Sequence, residues 1–219
     1  MSRVTRPFPR LATVASATLV VLVCATERVH AQSRVYLGAG VGADLLVGDA
    51  SDFLDGGGSR YLMADFRVDG DDRIHIRLDG SRSALEDDED ALTGATAEND
   101  LFMLLGGPQL SREIGRFRPY VAGLVGRAGV RWQTDANTGG DDEDDGSGSA
   151  FAWGAHAGVG FTLDRGSHPV ALRVEARLVD TGTLPFARAP APGNTQQPVG
   201  ILRQDIAVFS LRAAVTLGF

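Results

Sequence analysis

The stretch Gln204–Phe219 reads QDIAVFSLRAAVTLGF, and its pattern decides the fold class. Counting back by twos from the end gives Phe219, Leu217, Val215, Ala213, Leu211, Phe209 and Ala207, all apolar. Between them stand Gly218, Thr216, Ala214, Arg212, Ser210, Val208 and Ile206. Successive side chains of a strand point to opposite faces, so this is a strand with one apolar face and one mixed face carrying a charge. A soluble sheet can turn such a face to a core, and a membrane barrel can turn it to lipid.

Seven further stretches share the pattern. They run roughly over Arg34–Val47, Tyr61–Asp69, Arg73–Ser81, Asp100–Leu110, Phe117–Trp132, Phe151–Leu163 and Val170–Leu178. The third is the cleanest, with Ile74, Ile76 and Leu78 set against Arg73, His75, Arg77 and Asp79. In the fourth, Leu101 to Leu105 is apolar on both faces, which leaves its register open. In the fifth, Tyr120, Ala122, Leu124, Ala128, Val130 and Trp132 oppose Val121, Gly123, Val125, Arg127, Gly129 and Arg131. The apolar set is expected on the lipid side.

The gaps alternate long and short. Asp69 to Asp72, Ser111 to Arg116 and Asp164 to His168 read as tight turns. The other gaps are longer, and two carry acidic runs, Glu86 to Asp90 and Asp141 to Asp145. Strands running up and down would gather the long loops at one end and the turns at the other, as outer-membrane barrels do. The expected fold is therefore all-β: an eight-stranded antiparallel up-and-down transmembrane β-barrel.

The polar face supports this reading over a soluble barrel. It carries Asp44, Asp65, Arg67, Arg73, His75, Arg77, Asp79, Arg127, Arg131, Arg173, Glu175, Arg177 and Arg212. Unpaired charges in a dry core would each cost several kcal/mol or more. In a barrel lumen they can pair across the interior. The expected lumen ion-pair network is Asp65, Arg67, His75, Arg77, Arg127, Arg131, Arg173, Glu175, Arg177 and Arg212. Eight strands enclose an interior that side chains fill, so a plugged lumen is expected rather than a conducting pore. Tyr120, Trp132, Phe151, Trp153 and Phe219 are expected as interface aromatics on the apolar face.

The N-terminus is a separate element. Arg3, Arg6 and Arg10 precede an apolar, small-residue run from Leu11 to Ala25, and Val29-His30-Ala31 fits a signal-peptidase site. Cleavage between Ala31 and Gln32 is expected, giving a signal peptide over 1–31 and a barrel domain over 32–219. The single cysteine, Cys24, falls within that leader. The formal net charge is −7, and removal of a leader with Arg3, Arg6, Arg10 and Arg28 against Glu27 makes the remainder more acidic. That excludes nucleic acid as an expected partner.

Arg118-Pro119-Tyr120-Val121-Ala122-Gly123-Leu124-Val125-Gly126, Leu172-Arg173-Val174-Glu175-Ala176-Arg177 and the terminal Phe219 resemble the OmpA/OmpX-type small outer-membrane β-barrels. The resemblance implies that Phe219, with Leu217, Val215 and Leu211 before it, acts as an assembly signal for the barrel-assembly machinery. It implies a Gram-negative-type outer membrane as the location, with membrane lipids and lipopolysaccharide as partners. The pattern ends at the barrel, so the peptidoglycan-binding domain of longer members is not expected. A monomer is expected.

Some small barrels of this kind modify lipid A with a His and a Ser. His75 and His156 fall on the polar face and His168 in a turn, and neither Ser81 nor Ser149 has an acidic orienter that can be placed. No catalytic residue, cofactor or metal site is therefore expected. The acidic runs read as solvated faces, with weak calcium or magnesium binding as the alternative, although the spacing of Asp141 to Asp145 does not match an EF-hand loop. The expected role is structural or surface-interacting, with an adhesin-type module acting through the loops as the alternative and a lipid A-modifying enzyme third.

Overall fold

In the computed structural model of the chain, the described residues are 35–47, 56–86, 96–135, 144–166, 168–188 and 200–219. Eight strands form them: β1 Val35–Val47, β2 Gly57–Arg67, β3 Ile74–Glu86, β4 Thr96–Ser111, β5 Phe117–Asp135, β6 Asp144–Asp164, β7 Val170–Arg188 and β8 Gly200–Gly218. Each pairs antiparallel with the next, and β8 pairs with β1, closing the barrel. There is no helix among the described residues. Ala31 and Gln32 lie outside them.

Closure satisfies both edges of the sheet, the condition for a spanning β structure without an open ladder. The register begins at the last residue: Val35 N donates to the Phe219 carbonyl at 3.2 Å, and Phe219 N donates to the Val35 carbonyl at 2.9 Å. The connections β2–β3 and β4–β5 are tight turns. In the first, the Asp69 carboxylate accepts from the Arg73 and Ile74 amides at 2.9 and 3.0 Å, while Asp72 takes a left-handed φ of 58°.

The strands outrun the sequence pattern at the long-connection end. β3 continues to Glu86 and β6 begins at Asp144, inside stretches read as acidic loops; the remainder of Glu86 to Asp90 and of Asp141 to Asp145 lies outside the described residues. The cause is cross-strand pairing: Gln133 pairs with Asp145 and Thr134 with Asp144, so backbone hydrogen bonds carry a polar sequence in strand form. β5 to β8 are 19, 21, 19 and 19 residues long, against the roughly 9–11 that cross a bilayer. Gly182, at a φ of 57°, sits where the β7–β8 register shifts between Asp180 and Thr183.

Alternation sorts the side chains. Val41, Leu62, Leu104, Phe151, Val174, Leu211 and Val215 are among the large apolar groups on the outside. The interior has two layers. Toward the short turns it is charged. Toward the long connections it is an apolar cluster that includes Leu46, Leu85, Leu101, Val130, Trp132, Leu184, Phe186 and Ile206. The open register of β4 resolves with Leu101, Met103 and Leu105 inside and Phe102 and Leu104 outside.

The fifth strand is inverted relative to the expectation. Tyr120, Ala122, Leu124, Ala128, Val130 and Trp132 are buried in the lumen, and Val121, Val125, Arg127 and Arg131 face out. Both faces of this strand are largely apolar, so polarity alone does not orient it. Space does. The lumen side of β6 carries glycines that make room for the aromatics of β5: a Cβ at Gly158 would lie 2.6 Å from the Tyr120 hydroxyl. Gly146 likewise lies against the Trp132 indole. Tyr120 and Trp132 are thus interior residues and not outer aromatics, while Phe151, Trp153 and Phe219 do face outward.

Candidate functional site

The charged layer is built from inward positions of β2, β3, β7 and β8. Arg77 and Asp79 are two residues apart on β3, so they share the lumen face. Arg77 Nη2 donates to Glu175 Oε1 and Oε2 at 2.8 and 2.9 Å and to Asp79 Oδ2 at 3.1 Å. Asp79 also accepts from Arg212 Nη1 at 3.0 Å and from Arg177 Nη1 at 3.2 Å. One carboxylate therefore meets three guanidinium groups. All of these side chains are buried.

The neighbours complete the cluster. Tyr120 donates its hydroxyl to Glu175 Oε2 at 2.8 Å. Arg173 pairs with Asp65, which also accepts from Gln109 Nε2 at 3.4 Å. The Arg212 guanidinium lies 4.4 Å from the Tyr61 ring centroid, and that of Arg173 lies 5.3 Å from the Tyr120 ring. Such stacking satisfies the faces of guanidinium groups whose edges are hydrogen-bonded. Higher in the barrel, Asp44 accepts from Ser59 Oγ at 3.1 Å and from Ser83.

Four arginines (Arg77, Arg173, Arg177, Arg212) thus share the buried lumen with four carboxylates (Asp44, Asp65, Asp79, Glu175). That balance offsets part of the cost of taking so many charges out of water, while Asp65 Oδ1, the Nε atoms of Arg77, Arg177 and Arg212, and Arg212 Nη2 have no hydrogen-bond partner among the described residues.

A second polar group closes the mouth at the short-turn end. Asp72 folds back from the β2–β3 turn, where it pairs with Arg118, accepts from the Tyr36 hydroxyl at 3.4 Å and approaches His75 Nε2 at 3.4 Å. Ser111 Oγ donates to the Asp72 carbonyl at 3.2 Å. A cavity of ≈160 Å³ beside it is lined by Tyr36, Arg118, Tyr120, Arg173 and Thr216, among others.

Of the ten residues expected in the network, Asp65, Arg77, Arg173, Glu175, Arg177 and Arg212 come together in the lumen. His75 is buried at the mouth, and Arg67 stands opposite it across the β2–β3 ladder. Arg127 and Arg131 do not join. Asp79, the most heavily bonded carboxylate, stands outside the expected network, although its place on the polar face two residues after Arg77 is a signal for it. Tyr61, Tyr120 and Gln109 had no such signal, because an aromatic or amide on a mixed face has no intrinsic side.

The histidines and serines weighed for catalysis are scattered. His156 is buried and packs edge-on to Tyr120 at 5.6 Å, and His168 Nδ1 lies 3.3 Å from the Gly218 carbonyl. Ser81 lies 3.4 Å from Arg177 Nη1, and Ser149 faces out. Among the described residues no group of three His, Cys, Asp or Glu side chains is placed to hold a metal ion.

No protein-family model matches the sequence, and no curated protein matches it significantly. Solved structures do. Neisserial surface protein A aligns over 86% of this chain and 100% of its own, at 14% identity and a TM-score of 0.56. Ail, the attachment invasion locus protein of Yersinia pestis, covers 86% and 100% at 11% identity and a TM-score of 0.53. OprG of Pseudomonas aeruginosa, an outer membrane protein, covers 87% and 97% at 13% identity and a TM-score of 0.52.

The fold is that of the small outer-membrane β-barrels. In a barrel of this fold the outward position of Arg127 and Arg131 has a defined energetic meaning. An arginine on the lipid face costs about 2–4 kcal/mol at the bilayer midplane and about 0–1 kcal/mol near the interface. Both residues lie past the midpoint of β5, toward the long-connection end.

Proposed function

We propose that the chain is an integral outer-membrane protein whose barrel is a closed scaffold and whose long-connection end works by surface interaction. The observation that carries this reading is the two-layered lumen. An ion at the short-turn end would meet the balanced arginine–carboxylate cluster, and beyond it a layer dominated by apolar side chains that include Leu101 and Ile206. Charged and apolar side chains thus succeed one another along the lumen and support a closed interior. The pattern of Leu211, Val215, Leu217 and Phe219 supports assembly by the barrel machinery, and the sequence of residues 1–31 supports export with cleavage after Ala31.

The test is direct. Heat-modifiable migration on a detergent gel and recovery in the outer-membrane fraction are expected; a soluble periplasmic protein with no mobility shift would refute membrane insertion. In planar bilayers the reconstituted barrel is expected to give no stable conductance steps. Large, long-lived steps would sink the closed-lumen reading. Lipid A mass spectra from cells with and without the protein are expected to be identical, in line with a non-enzymatic role.

One observation favours an adhesin-type reading of the same end. The strands β5 to β8 exceed a bilayer span and raise a wall of ordered sheet that can present a fixed surface to a partner. Attachment of cells to host-type surfaces, with and without the protein, measures this; equal attachment removes the adhesin reading and leaves the scaffold.

A further inference from the structure

The cavity at the short-turn mouth is lined unlike the rest of the lumen. Arg173 of β7, its side chain 4% exposed, forms the floor. Arg118 of β5 forms one wall. Glu113 and Arg165, each more than half exposed, form the rim.

Two guanidinium groups are held here with an edge to spare. Arg118 stacks on Tyr36, 5.3 Å from the ring centroid, and meets Asp72 and Glu113 through Nη2. Arg173 stacks on Tyr120, also at 5.3 Å, and meets Asp65 and the Met63 sulfur through Nη1. Their charge is thus met within the protein. Their hydrogen-bonding capacity is not, since a guanidinium carries more N–H donors than one carboxylate can fill. The deeper arginines differ. Arg77, Arg177 and Arg212 keep spare nitrogens sealed from solvent without a partner. Among the described residues neither Arg118 nor Arg173 has a nitrogen sealed in that way, and both front the cavity. A ring and a carboxylate fix each group before any ligand arrives, which lowers the ordering cost of binding.

Size and lining narrow the ligand. A cavity of ≈160 Å³ admits about six non-hydrogen atoms. A guanidinium edge matches a planar pair of oxygens. Pro169, Ala171 and the Tyr120 ring supply apolar wall, which serves methylene groups and offers nothing to inorganic phosphate. We propose that this cavity is a binding site for a small organic carboxylate, with Arg118 and Arg173 as its anchors. The site lies at the end opposite the surface-interaction end and goes beyond that reading. By the membrane reading it opens to the periplasm.

The test uses the full chain folded in detergent, with sodium butyrate and its neutral isostere butyramide as probes. The side-chain Nε–H resonances of Arg118 and Arg173 are followed by NMR. Butyrate is expected to shift both saturably and to bind about tenfold more tightly than butyramide. Arg118→Gln is expected to lose that preference. Gly160→Val fills the cavity from β6, where a Cβ would lie 3.7 Å from the Arg118 carbonyl and from Arg173 Cγ, an ordinary contact. This variant is expected to fold and to abolish the shifts. Arg112→Gln, next to Glu113 but outside the lining, is expected to bind like the wild type. Absence of saturation by butyrate, equal affinity for butyramide, or unchanged binding by Gly160→Val overturns the proposal, as does tighter binding of inorganic phosphate. If Arg118→Gln does not fold, Gly160→Val decides; if neither folds, the comparison of butyrate with butyramide on the wild type decides. Binding in detergent does not depend on insertion, so a failure of heat-modifiable insertion strikes the membrane reading and leaves this site standing.

Discussion

Arg77 and Glu175 are 98 residues apart in the chain, and their side chains meet in the lumen at 2.8 Å. The contact joins β3 to β7 across the barrel interior rather than along the sheet. It is therefore a strut between opposite walls, and it exists only because closure brings those walls within reach of one arginine.

Glu175→Gln is expected to destabilise the barrel by about 3–5 kcal/mol, because Arg77 would then face Arg212 and Arg177 with only Asp79 to balance them. The midpoint of denaturant unfolding in detergent measures it. A double-mutant cycle with Arg77→Met is expected to show coupling above about 0.5 kcal/mol. Strictly additive effects would show that the two side chains do not meet.

The two tryptophans report the orientation of β5 independently. Trp153 is 57% exposed on the outside and Trp132 is 8% exposed in the lumen. In bilayers of lipids brominated along their acyl chains, the Trp132→Phe variant, which keeps Trp153, is expected to be strongly quenched. The Trp153→Phe variant is expected to be quenched little. The reverse result would restore the outward placement of Trp132.

Lumen and outer glycines are expected to differ. A Cβ at Gly40 would press on the Ala213 carbonyl and lie 2.6 Å from Tyr61 Cε1, whereas one at Gly123 meets nothing within 4 Å. Gly40→Ala should cost about 1–3 kcal/mol through overpacking. Gly123→Ala should be near neutral. Comparison of the two unfolding midpoints checks this, and equal midpoints would refute the packing of Tyr61 against β1.

The β2–β3 turn carries a pH dependence of known sign. Hydrogen bonds from the Ile74 amide, and then from the Arg73 amide, hold the Asp69 carboxyl below its ordinary value. A lowered folded value means stability that is present above the ordinary carboxylate range and is lost as pH falls through the folded value. Asp69→Ala is expected to unfold more readily than the wild type at neutral pH, with the gap closing in acid. A gap that widens in acid would contradict the turn geometry.

Most strands were legible because one face is apolar without interruption. In β1, β3, β6, β7 and β8 the two-residue period alone assigns Leu37, Ile76, Trp153, Val174 and Val215 to the outside, as the structure has them. β4 and β5 were not legible. Leu101 and Leu104 are both leucine, and one is buried while the other is 69% exposed. The lumen charges of β2, β7 and β8 were legible from alternation, but Arg127 and Arg131 of β5 were not, and no pair was, since nothing local tells Arg77 to choose Glu175 on a strand 98 residues away.

The sequence by itself determined that this chain makes eight two-faced strands, because side-chain alternation is a local property of extended backbone. It also determined that short turns and long connections segregate. Only the tertiary structure decided which face of β5 looks inward, which carboxylate gathers three arginines, and that Arg118 and Arg173 line one cavity. Those outcomes depend on closure. The register around the barrel sets which residues stand opposite one another, and the room left by Gly158 and Gly40 is filled by Tyr120 and Tyr61 on neighbouring strands. Volume and charge are matched across the lumen, over distances that no window of sequence spans.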